Sequence, residues 1–146
     1  MGPRMSKAAV SASLLMMLLS GFIPAHAEEP GDVVVGIYAK HPWADLPPGG
    51  HGAWYMDIAA SWENGAAEAG MAFLLGKISE VDRVKTEVVI SSSDEARVRA
   101  TVSGNDGATQ VLNFGMVGDD DEDDRWRVIE VFTDDGKYLS EVLGED

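Results

Sequence analysis

Arg125-Trp126-Arg127-Val128-Ile129-Glu130-Val131-Phe132-Thr133-Asp134-Asp135-Gly136-Lys137-Tyr138-Leu139-Ser140-Glu141-Val142-Leu143 is the stretch whose reading decides the fold. Residues 126–132 alternate with a period of two. Trp126, Val128, Glu130 and Phe132 fall on one face, and Arg127, Ile129 and Val131 on the other. Asp134-Asp135-Gly136 supplies the turn chemistry that ends the strand, and the Tyr138–Leu143 segment predicts a short closing helix.

Working back along the chain, the same period recurs three times. Leu112, Phe114 and Met116 share a face in one segment, and Val98, Ala100 and Val102 in the one before it. Val84, Thr86, Val88 and Ile90 do so in the first. Ser91-Ser92-Ser93-Asp94 and Gly104-Asn105-Asp106-Gly107 read as hairpin turns, and the acidic run 119–124 as the third connection. Four strands joined in sequence by short turns predict an antiparallel meander.

Ahead of the sheet the period becomes helical. Asp32 is a capping residue for a helix with Val34, Ile37, Tyr38 and His41 on one stripe, stopped by Pro42. Gly36 inside it suggests the close approach of another element. The stretch 42–52, with Pro47-Pro48-Gly49-Gly50, can only be a loop, and Trp43 within it is a candidate exposed anchor for a partner. A second helix is expected over 53–64, with Trp54, Ile58 and Trp62 on one side and Asn64-Gly65 as its stop. Another helical turn at 66–70 leads into the apolar segment 71–76, which must be buried. The class is α+β: N-terminal helices packed against a curved four-stranded antiparallel sheet, with a short C-terminal helix.

The N-terminal segment carries Arg4 and Lys7, an apolar stretch, and small residues at Ala25 and Ala27. This is the pattern of a secretory signal peptide over 1–27, cleaved after Ala27, and its uninterrupted apolar part is short for a membrane span. Residues 28–146 then form a single domain, periplasmic or secreted, with no stable membrane anchor after cleavage. The chain has no cysteine, so neither a lipid-anchored cysteine nor a disulfide framework is available. The formal charge is −14, and the leader holds two of the eleven basic residues and none of the acidic ones, so the mature domain stands at −16. Such a charge disfavours nucleic acid and anionic membranes, favours solubility, and admits a basic protein partner.

The first helix with Ile37-Tyr38, the Phe73-Leu74-Leu75-Gly76 segment, the Trp126-Arg127-Val128-Ile129-Glu130-Val131 strand and the Tyr138-Leu139-Ser140-Glu141-Val142-Leu143 tail together resemble the nuclear transport factor 2-like superfamily. Within it the likeness is to secreted bacterial proteins of the domain-of-unknown-function family 3828. The resemblance covers nearly all of residues 28–146 and implies a curved sheet wrapped around helices to leave a conical cavity. Members include isomerases, cyclases, dehydratases and non-catalytic binding modules, so the fold alone does not select a chemistry.

The residues narrow that choice. No cysteine nucleophile and no Gly-x-Ser-x-Gly elbow is present, and Gly49-Gly50-His51-Gly52 follows no strand and precedes no Lys-Ser/Thr pair. His41 and His51 lack metal-ligand spacing, and the run 119–124 lacks the glycine that a calcium loop needs at its sixth position, so no metal and no cofactor is expected. A cofactor-free isomerase or lyase would use Glu130 as its base, or Asp57, with His41 as partner. On the inward face, desolvation would raise the Glu130 pKa into a useful range. Alternatively Glu130 pairs with an arginine such as Arg99 on a neighbouring strand, or lies near the rim. Tyr38, Trp54, Tyr55, Trp62 and Trp126, with Glu130, are the candidate pocket lining, although aromatics at this spacing more often build an ordinary core. The expected function is a non-catalytic module binding a small apolar ligand or a protein partner. The isomerase or lyase, and an acidic inhibitor or immunity-type protein, are the alternatives.

Overall fold

The structure is a computed structural model that describes residues 29–118 and 125–144; the leader and the acidic run 119–124 lie outside them. Helix α1 (Pro30–Ala39) begins with proline in its first turn, where a missing N–H costs nothing. Asp32 serves as the third helical residue rather than as the cap, and its carboxylate accepts the Glu29 amide at 3.2 Å. Val33, Val34, Ile37 and Tyr38 are buried along one stripe, which packs on the sheet. Close approach occurs at Gly31, where an added Cβ would meet the Thr86 hydroxyl at 2.8 Å. Gly36, the expected contact point, faces open space.

The loop after α1 is pinned from three sides. The Trp43 indole donates to Ile37 O at 2.8 Å, the Trp54 indole to Pro48 O at 2.6 Å, and Lys40 Nζ to Gly49 O at 3.2 Å. Gly49 has a φ of 82°, and a Cβ there would lie 2.9 Å from Ile37 Cα, so conformation and space both demand glycine. Trp43 is therefore no exposed anchor. It is half-buried, against Tyr38 and His41.

The single helix expected over 53–64 divides into a 3-10 turn (His51–Ala53) and α2 (Met56–Asn64). Trp54 and Tyr55 stay extended between them, because the Tyr55 amide donates to Val128 O at 2.9 Å and Trp54 bridges in parallel to Val128. α3 (Ala67–Leu75) absorbs both the expected turn and the apolar segment after it. Between α2 and α3, Gly65 is extended, and a Cβ there would fall 2.1 Å from Leu143 O.

Four strands follow: β1 (Val81–Ser91), β2 (Glu95–Gly104), β3 (Thr109–Gly118) and β4 (Trp126–Phe132). They form one curled antiparallel sheet in the order β1-β2-β3-β4. Val98, Ala100, Val102, Leu112, Phe114 and Met116 point into the core as their alternation predicts. α4 (Leu139–Gly144) closes the core with Leu139 and Leu143. Among the described residues no helix is long and apolar enough to cross a membrane.

In β4 the expected alternation fails partway. Gly115 pairs with Glu130 and Met116 with Val128, so Ile129 is an extra residue, a β-bulge. Beyond it every side chain changes face. Trp126, Val128 and Val131 are buried, whereas Glu130 and Phe132 leave the face assigned to them. Valine in place of a carboxylate beside Phe114 is the arrangement that avoids desolvating a charge.

Candidate functional site

The interior is built from the residues first considered as a pocket lining. Tyr38, Trp54 and Trp62 are each no more than 2% exposed, and Trp126 is buried beside them. Trp54 and Trp62 meet edge to face with centroids 5.5 Å apart, and Tyr38 meets Phe114 in the same way at 6.4 Å. The Tyr38 hydroxyl donates to Leu74 O at 2.8 Å, satisfying a carbonyl in the last turn of α3, and burial pushes its phenol pKa far up. Tyr38 and Trp62 thus act as packing residues at the centre of the molecule.

Glu130 neither faces an internal cavity nor pairs with Arg99; it lies near the rim. Its Oε1 accepts the Val131 amide and the Ser140 amide, each at 3.0 Å, and Oε2 accepts the Ser140 hydroxyl at 2.5 Å. The carboxylate covers the exposed rim of β4 and the N-terminus of α4, where unpaired amides and the helix dipole favour a negative charge. Arg99, its alternative partner, is bound bidentately by Asp134, at 2.8 and 2.7 Å. Asn113, buried on the same face, donates to Asp134 at 3.0 Å and to Phe132 O at 3.2 Å. The Arg99 hydrogen bonds, then that from Asn113, lower the Asp134 pKa to about 2.

The other proposed acid–base partners are spread out. His41 packs edge-on against Trp43 at 4.9 Å, and Asp57 lies exposed in the first turn of α2. Among the described residues no cluster of three or more His, Asp or Glu could hold a metal ion. No general base with an oriented partner is assembled from Glu130, Asp57 and His41.

What the structure does assemble is a half-open cleft of about 640 Å³ between α2 and the ends of β3 and β4. Trp54 and Tyr55 contribute to it, joined by Met56, Ala59, Val117 and Arg127. Met56 is 72% exposed and Tyr55 42%, so apolar surface is presented to solvent at its mouth. At its edge His51 Nε2 and Glu63 Oε2 lie 2.7 Å apart, a contact that ties the 3-10 turn to the end of α2. The extended Trp54-Tyr55 pair makes this space. By bridging to Val128 it ties the start of α2 to β4.

Of the six candidate lining residues, then, Trp54 and Tyr55 border an accessible space, Tyr38, Trp62 and Trp126 are core, and Glu130 caps a helix. The sequence did carry a signal for the cleft. Met56, Ala59, Ala60 and Glu63 are a second i, i+3, i+4, i+7 stripe on α2, beside the one occupied by Ile58 and Trp62. Comparison with known proteins finds no matching family model, curated sequence or solved structure.

Proposed function

We propose that this chain is a non-catalytic binding module, exported to the periplasm or secreted, that seats a small apolar ligand in the cleft beside α2. The observation that carries the reading is the cleft itself. Its volume, about 640 Å³, lies in the range of small-molecule sites, and its wall of Trp54, Tyr55, Met56 and Ala59 is apolar. The His51–Glu63 contact and Arg127 supply a few polar groups at its edge, the usual composition of an orienting rim. An apolar side chain of a protein partner is the same chemistry presented on a surface. The burial of Tyr38, Trp62 and Trp126 among core side chains favours this peripheral cleft over the centre of the cone.

Two further parts of the reading rest on the sequence. The Arg4–Ala27 pattern supports export, with a mature protein beginning at Glu28, which intact-mass measurement of the secreted material would read directly. Helices followed by a curled four-stranded meander suit the nuclear transport factor 2-like superfamily that the sequence resembles.

The test uses an apolar fluorescent probe, anilinonaphthalene sulfonate, on the mature protein. One saturable site is expected. Ala60→Trp, which places an indole in the cleft from an exposed helical position, is expected to weaken binding by about tenfold or more, a loss of about 1.4 kcal/mol. Binding that does not saturate, or that Ala60→Trp leaves unchanged, overturns the assignment.

A further inference from the structure

A second groove, of about 550 Å³, lies on the face of the sheet turned away from the helices. Its construction follows from the sheet register. Arg97 and Arg99 alternate with the buried Ala96, Val98 and Ala100, so both guanidinium groups emerge on this outer face. Glu87, opposite Arg99 on β1, emerges there too. The bulge in β4 delivers Phe132 to the same face, where it stacks on Tyr138 with centroids 5.7 Å apart.

The two arginines differ in how they are held. Arg99 is held bidentately by the Asp134 carboxylate. Arg97 has its Cζ 5.4 Å from the Phe132 ring centroid, a cation–π contact that fixes the guanidinium while leaving its N–H donors without an acceptor among the described residues. Glu87 feels the charge of Arg99, yet among the described residues its carboxylate accepts no hydrogen bond and forms no ion pair. The cross-strand position beside Arg97 is Gly115, where an added Cβ would meet nothing nearer than 3.8 Å, so packing does not require the missing side chain. It leaves room next to the unused donors.

The groove therefore offers one cation and one anion without hydrogen-bonding partners among the described residues, with the apolar surfaces of Val89, Phe132 and Tyr138 beside them. We propose that it is a site for a zwitterionic amino acid with an apolar or aromatic side chain. The α-carboxylate takes the Arg97 fork, whose planar donors match two carboxylate oxygens. The α-ammonium takes Glu87, and the side chain lies along Val89 and Tyr138. A simple carboxylate would be repelled by Glu87 and a simple amine by Arg97, so recognition demands both charges on one molecule.

Isothermal titration of the mature protein with phenylalanine, its amide and its N-acetyl derivative tests this. Phenylalanine is expected to bind saturably, and both blocked forms at least about tenfold more weakly. Arg97→Gln should remove the preference for phenylalanine over its amide, and Glu87→Gln the preference over the N-acetyl form. Both positions are exposed, and an unchanged Tm verifies that each variant is folded. No binding at millimolar concentration, or equal binding of all three compounds, overturns the proposal. So does loss of binding in Ala60→Trp, because the ligand would then occupy the α2 cleft. Apolar-probe binding in the cleft is read separately, so either assignment can fail without the other.

Discussion

Glu130 caps the last helix through Ser140, accepting that residue's amide at 3.0 Å and its hydroxyl at 2.5 Å. α4 has six residues, too few to hold itself, and its two buried leucines are useful only if its first turn is fixed. Glu130→Ala is expected to cost about 1–2 kcal/mol, in the range of lost helix caps. The denaturation midpoint should fall, whereas apolar-probe affinity in the cleft should not change. A stable variant with impaired probe binding would instead place Glu130 in the binding machinery.

The same residue shows what a sequence can and cannot disclose. Strand alternation in β2 and β3 is unbroken, so their inward faces could be named residue by residue, and the antiparallel order followed from the short turns. In β4 the alternation holds only as far as Val128. A bulge leaves no mark in hydrophobic pattern when Ile129 and Val131, on either side of Glu130, are both apolar. The division of the second helix was hidden for a related reason: Trp54 and Tyr55 suit a helix locally, and only pairing with Val128 draws them out. The aromatics were legible as either core or lining because periodicity gives a face, not a distance to solvent.

Gly65 and Gly70 hold the seam between α4 and the preceding helices. An added methyl at Gly65 would fall 2.1 Å from Leu143 O, and one at Gly70 would fall 2.6 Å from Leu143 Cδ2 and 2.7 Å from the Trp62 ring. Leu143 O accepts the Ala66 amide at 2.9 Å, so it cannot withdraw without leaving a donor unpaired. Alanine would favour a helical backbone at Gly70 by about 1 kcal/mol on propensity alone. Overpacking is expected to reverse that sign, giving a net loss of about 1–3 kcal/mol at either position. Urea unfolding of the two single variants checks it, and a stabilised Gly70→Ala would show that Leu143 and Trp62 can move aside.

The Asp134–Arg99 pair makes part of the stability depend on acid. The Arg99 and Asn113 hydrogen bonds hold the Asp134 carboxyl at about 2, below its ordinary 3.8. A depressed carboxylate binds its proton more readily in the unfolded chain. Its contribution is therefore complete above pH 4 and is lost as pH falls from about 4 to about 2. Both side chains are substantially exposed, so the effect is screened. Asp134→Asn is expected to flatten the melting temperature between pH 4 and pH 2 while lowering it modestly at pH 7. A wild-type slope unchanged by the substitution would remove Asp134 from the acid response.

Tyr38 produces the opposite dependence at the alkaline end. Its hydroxyl is buried on Leu74 O, and desolvation raises its pKa far above the ordinary 10.0. The unfolded chain releases this proton near pH 10 and the folded protein does not. Stability from this group is thus intact below pH 10 and declines as pH rises further. Tyr38→Phe removes the hydroxyl and the hydrogen bond together. At neutral pH it is expected to cost about 1 kcal/mol, mostly from the Leu74 carbonyl left without its donor. Above pH 10 the penalty should shrink, because phenylalanine has no proton to lose on unfolding. Denaturation of both proteins at pH 7, 9 and 11 follows the gap directly, and a gap that widens with pH would mean that the phenol ionises in the folded core.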